Sequence, residues 1–133
     1  MKIIPYIGWL AGQAADGLTY LWPVSLILLL LACAAVLSDI RRKRLQLDRR
    51  FPILLLPVTS VVAILIVGGA FQERSAFSYL PNVGLGAGIV MSIVSGRVLR
   101  RAWMSSVSVS LCCLWYAFWC GFVATMSITG NWL

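Results

Sequence analysis

Few residues in this chain could do chemistry, and their positions restrict which chemistry that is. The carboxylates are Asp16, Asp39, Asp48 and Glu73, there is no histidine, and the cysteines are Cys33, Cys112, Cys113 and Cys120. Cys112 and Cys113 are adjacent within an apolar stretch. Soft thiolates so placed can hand on a soft metal ion, but no second cysteine pair exists to receive one. No C-x-x-C spacing occurs either. Buried free cysteine behaves as a small hydrophobe, and packing is the role expected here. Asp39 stands just before Arg41, Arg42, Lys43 and Arg44. On a helix it could answer Arg42 or Lys43 one turn on.

The run Ser38-Asp39-Ile40-Arg41-Arg42-Lys43-Arg44-Leu45 resembles the first catalytic segment of the type IV prepilin peptidases. That resemblance implies a membrane aspartyl protease with a second aspartate in a G-x-G-D motif, because such a dyad shares one proton between two carboxylates. Here Gly86-Ala87-Gly88 is followed by Ile89. The dyad is incomplete, so no protease activity is expected. No phosphate loop, zinc spacing or nucleophile–base pair appears elsewhere. The chain reads as a non-enzyme that holds no cofactor and no metal.

The elements that would position these residues are membrane spans. Of 133 residues 61% are hydrophobic and 11% charged, and mean hydropathy is +0.93. Soluble domains are about 45–50% apolar and about 25% charged. Four stretches, near 18–38, 52–71, 80–97 and 103–127, approach the roughly 20 apolar residues that cross a bilayer core. The expected fold is one all-α membrane domain, a bundle of four transmembrane helices. No Asp, Glu, Lys or His lies within these spans. Proton-driven export usually needs such a group in mid-membrane, which argues against a small multidrug exporter.

Net charge is +7. Arg41, Arg42, Lys43, Arg44, Arg49 and Arg50 lie between the first two spans, and Arg97, Arg100 and Arg101 at the junction of the last two. Only Lys2 and Arg74 fall on the other side, nine against two. The positive-inside rule then sets both basic loops in the cytoplasm and both termini outside. The nine residues are expected to meet anionic lipid headgroups or a cytoplasmic partner rather than nucleic acid. An inner (plasma) membrane location fits the short loops. The first residues fit a secretory signal poorly, because Pro5 interrupts a short apolar run. Ile3, Ile4, Tyr6, Ile7, Trp9 and Leu10 are expected to lie in the headgroup boundary.

Small residues carry the packing signal. In the last span Ser106, Ser110, Cys113, Ala117, Cys120, Ala124 and Ser127 recur at steps of 4 and 3. A 3.5-residue period favours a long left-handed crossing. The third span has Gly84, Gly88, Ser92 and Gly96 at steps of 4, the spacing of right-handed G-x-x-x-G pairs. Helices in lipid associate by close backbone approach. One seam is therefore expected to serve the bundle and the other a second subunit. Pro57, with Thr59 and Ser60 nearby, is expected to bend the second span.

The functional expectation is a small integral subunit that docks through these seams into a larger membrane assembly, either a homo-oligomer or a secretion, defence or respiratory complex. Two alternatives remain. One is an oligomeric pore for a small solute, lined by Thr59, Ser60, Asn82, Ser92, Ser95 and Tyr116. The other is a membrane immunity or exclusion protein that contacts the inserted helices of a toxin or phage protein.

Overall fold

A computed structural model of the chain describes residues 3–44, 51–71 and 74–130. Most of the described residues are helical and none is in a strand; they form six α-helices: α1 (Ile3–Tyr20), α2 (Trp22–Arg41), α3 (Phe51–Leu54), α4 (Leu56–Ala70), α5 (Leu80–Val98) and α6 (Trp103–Thr129). Short 3-10 turns, Ser75–Phe77 and Arg100–Ala102, lead into α5 and α6. Three helical stretches are long and apolar enough to cross a membrane: Trp22–Arg41, Ser75–Val98 and Arg100–Thr129. Leu56–Ala70 is a shorter apolar helix.

Proline sets most of the breaks. Pro23, Pro57 and Pro81 each stand in a first helical turn, where the missing N–H costs nothing. The expected bend at Pro57 takes the form of a break at Leu55, where tight turns run from Leu55 N to Pro52 O and from Val58 N to Leu55 O. The break between α1 and α2 falls at Leu21. There Ser25 Oγ donates back to the Leu18 carbonyl at 3.4 Å, easing the loss of regular backbone bonds.

The end of α2 is closed by a double turn. Lys43 N donates to Ile40 O and Arg44 N to Asp39 O, the two bonds of a Schellman motif. The motif's left-handed position is normally glycine, but here it is Lys43, with φ 54°. The end of α6 follows the rule, with Gly130 at φ 71°.

α6 is the spine of the bundle. It packs against α1, α2, α4 and α5, while α4, α5 and α6 form a mutually packed triangle and α2 leans chiefly on α6. Polar ties mark its length. The Ser105 hydroxyl meets Asp39 on α2, Ser106 pairs with Ser95 on α5 at 3.2 Å, and Trp115 Nε1 donates to Ser25 at 3.0 Å. Near its far end Ser127 donates to the Gly68 carbonyl at 3.2 Å. That leaves Tyr6 as the donor in the Tyr6–Ser127 bond of 2.9 Å.

Two apolar clusters lie at opposite ends of α6. One joins Leu54, Leu99 and Ala102. The other joins Leu10 and Ala14 of α1, Ile64 of α4, and Ala117, Cys120, Val123 and Ala124 of α6. The first helix thus departs from the expectation of a surface segment. Leu10 is fully buried, and α1 packs on α4 and α6. Lipid and a helix bundle are equally apolar, so composition alone does not separate the two fates.

Candidate helix-docking groove

Both small-residue seams face other helices of the same chain over most of their length. A Cβ built on Gly84 would lie 2.5 Å from Ile64 Cγ1, and one on Gly88 2.7 Å from Ser60 Oγ. These two glycines therefore hold α5 against α4. On α6, Ser106, Ser110, Ala117, Cys120, Ala124 and Ser127 are buried, and Cys113 is half-buried. The closest backbone approach is made by Gly68, where a Cβ would stand 2.8 Å from Ala124 Cβ and 3.0 Å from its Cα. Gly68 lies near the end of the 52–71 stretch and outside both seams. The signal available was the run of small residues Gly68-Gly69-Ala70.

Toward the Arg-rich end the α5 ladder turns from α4 to α6, where Ser95 and Ser106 are bonded. Past Gly88 the α5 ladder leaves α4, and at Gly96 a Cβ would meet only Ser106 Oγ, at 3.8 Å. Between the helices opens a groove of about 350 Å³, lined by Ser92, Ile93 and Gly96 of α5 and by Ser106, Val107 and Ser110 of α6. Ser92 Oγ donates to the Gly88 carbonyl at 2.8 Å. Ser110 Oγ, in a side chain only 8% exposed, has no partner among the described residues. A buried hydroxyl without a partner costs about 1–3 kcal/mol; the Ser110 side chain borders the groove, but its oxygen is shielded from it.

All the described basic residues are exposed, and seven of the eight, all but Arg74, gather at one end of the bundle. Arg41, Arg42, Lys43 and Arg44 follow α2, and Arg97, Arg100 and Arg101 flank the α5–α6 junction. Asp39 ties the two groups, because it bonds Ser105 in the first turn of α6. Sequence proximity suggested Arg42 or Lys43 as its partner, but its carboxylate is turned into the bundle instead. Arg49 and Arg50 lie outside the described residues. Arg41 and Arg42 also line a cavity of about 460 Å³ with Ala34, Leu37 and Ser38.

The groups considered for a solute path are turned in different directions. Thr59 Oγ1 donates to Leu56 O, Ser60 Oγ to Pro57 O, and Ser95 pairs with Ser106. Ser92 lines the α5/α6 groove, whereas Asn82 lines a separate cavity with Phe118 and Thr125. The four cysteines are free thiols; Cys112 and Cys120 are buried and Cys33 is exposed. Comparison with protein-family models, with curated proteins and with solved structures finds no match to this chain.

Proposed function

We propose that this chain is a non-enzymatic integral membrane subunit that offers its α5/α6 groove to one transmembrane helix of another subunit in a larger membrane assembly. The reading rests on one observation, an open groove whose walls include the small residues Ser92 and Gly96 of α5 and Ser106 and Ser110 of α6. Gly96 and Ser92 let a foreign backbone approach closely, and rotation of Ser110 about χ1 would bring its hydroxyl to one of that helix's carbonyls. Interhelical hydrogen bonds of this kind contribute about 0.6–2 kcal/mol in membranes.

The topology that accompanies this reading has four spans, with α3 and α4 together as the second. Both termini lie on the non-cytoplasmic side of an inner (plasma) membrane. The nine-to-two distribution of Lys and Arg supports it. The Arg-rich end then faces the cytoplasm, against anionic headgroups.

A photo-crosslinking residue placed at Ile93 or Val107, both exposed at the groove, tests the proposal in native membranes. A discrete protein adduct is expected at both positions, and Ser92→Leu, which fills the groove, is expected to abolish it. Adducts with lipid alone at both positions would refute the docking role.

A further inference from the structure

The half of α6 beyond Trp115 carries another cavity, of about 290 Å³, on the side that faces α1. Each helix contributes one face to it. Gln13, Asp16 and Tyr20 come from α1, at helical spacing, and Trp119, Phe122 and Met126 from α6, likewise. Gly17, which lines the same cavity, sets how closely the two walls meet. A Cβ on Gly17 would stand 3.0 Å from Cε3 of Trp119, so the α1 backbone lies flush against the indole. Trp119 also meets Trp115, Phe118 and Phe122 edge to face, at centroid distances of 6.2–6.3 Å.

The electrostatics of this cavity are opposite to those of the rest of a chain with net charge +7. Asp16 supplies a carboxylate which, among the described residues, takes part in no hydrogen bond or ion pair. Only its main-chain carbonyl is engaged, by Thr19 Oγ1 at 2.6 Å. Aromatic faces attract cations through their quadrupoles, Trp most of all. An anion would be repelled by Asp16, and a bare metal ion would need several oxygen ligands. A wholly apolar ligand would desolvate the carboxylate without compensation.

We propose that this α1/α6 cavity binds a quaternary ammonium group. Such a group has no hydrogen to donate, so aromatic faces and one carboxylate satisfy it more fully than water-seeking partners would. Trp119, Phe122 and Tyr20 contact the methyl groups, and Asp16 balances the charge. The group can arrive on a lipid headgroup, as in phosphatidylcholine, or on a free solute such as choline. This site is separate from the α5/α6 groove and does not depend on the docking role.

The test is calorimetric titration of the full chain, in a maltoside detergent free of choline groups, with tetramethylammonium chloride against sodium chloride at equal ionic strength. Saturable binding is expected for the quaternary cation only. Asp16→Asn is expected to weaken it about tenfold, the equivalent of about 1.4 kcal/mol, and Tyr20→Leu to weaken it by a smaller factor. Tyr20 is 86% exposed and Asp16 is exposed as well, so both variants keep wild-type helicity by circular dichroism. Repeating the titration in phosphatidylcholine nanodiscs separates the sources. Blocked binding assigns the site to the headgroup, and undiminished binding to a free solute. No saturable signal above the sodium control, or an Asp16→Asn variant that binds as tightly as wild type, would overturn the proposal.

Discussion

Asp39 and Ser105, 66 residues apart, are joined so that the end of one helix caps the start of another. One carboxylate oxygen of Asp39 accepts from the Ser105 amide at 3.2 Å and from the Ser105 hydroxyl at 2.6 Å. The Ser105 amide is in the first turn of α6, where backbone N–H groups have no partner within the helix. A carboxylate there also meets the positive end of the helix dipole. The side chain is only 2% exposed, so water does not compete for it. The same residue's carbonyl accepts from Arg44 N at 2.9 Å, which makes Asp39 both the stop of α2 and the cap of α6.

Asp39→Ala should therefore destabilise the bundle by about 2 kcal/mol, the cost of a lost cap with the Ser105 amide left unpaired; the Ser105 hydroxyl keeps the Ala35 carbonyl as acceptor. Asp39→Asn keeps an acceptor oxygen and removes the charge, and should lose less. Denaturant titration in mild detergent, followed by circular dichroism, measures both. Equal stability of the alanine variant and wild type would deny the capping role.

The close approach of α4 and α6 at Gly68 gives a second outcome. Gly68→Leu forces a side chain into the Ala124 backbone and should cost about 1–3 kcal/mol through overpacking. Gly86 is the matched control, since a Cβ there would meet nothing within 4 Å. Gly86→Leu should stay within about 0.5 kcal/mol of wild type. Thermal unfolding of the two variants side by side decides whether position, rather than loss of glycine, sets the effect. Gly88→Leu and Ala117→Leu belong with Gly68→Leu. Gly88 abuts Ser60 and Ala117 is fully buried within the chain, so these changes act first on the bundle itself.

These sites show what the sequence carried and what it could not. Helical class and long apolar helices were legible because composition and run length decide them. The small residues of α6 announced that something approaches closely. They did not say that α1, α2, α4 and α5 of the same chain do so, because a small side chain specifies distance and not partner. Asp39 was read against its neighbours in sequence, since a partner 66 residues away leaves no local trace. Leu10 was read as interfacial because lipid and protein interiors select the same side chains. The α5/α6 groove was out of reach for a different reason: it lies between two helices, and how they are set side by side is written in neither repeat.

The fate of α1 is tested by its buried leucine. Leu10 is fully buried and joins Ile64 and Ala124 in one apolar cluster. Leu10→Ala should cost about 2–5 kcal/mol, the range for emptying a packed site. Ile4, 84% exposed on the same helix, supplies the contrast, and Ile4→Ala should change stability little. If α1 merely lay on the membrane surface, the two substitutions would have similar effects on denaturant unfolding.

Lys43 supplies the one expected gain. A side chain in the left-handed region costs about 1–2 kcal/mol relative to the right-handed one, and Lys43 is held there by the double turn that ends α2. Lys43→Gly relieves that cost at the position where helices most often carry glycine. The gain should be about 1 kcal/mol, reduced by the extra freedom glycine gives the unfolded chain. Lys43→Ala removes the same charge and the same side-chain length but keeps the strained backbone, so it should not share the gain. The difference between the two variants in denaturant midpoint isolates the backbone effect from the loss of a cation at the Arg-rich end. A glycine variant no more stable than the alanine one would mean that the double turn does not persist in solution.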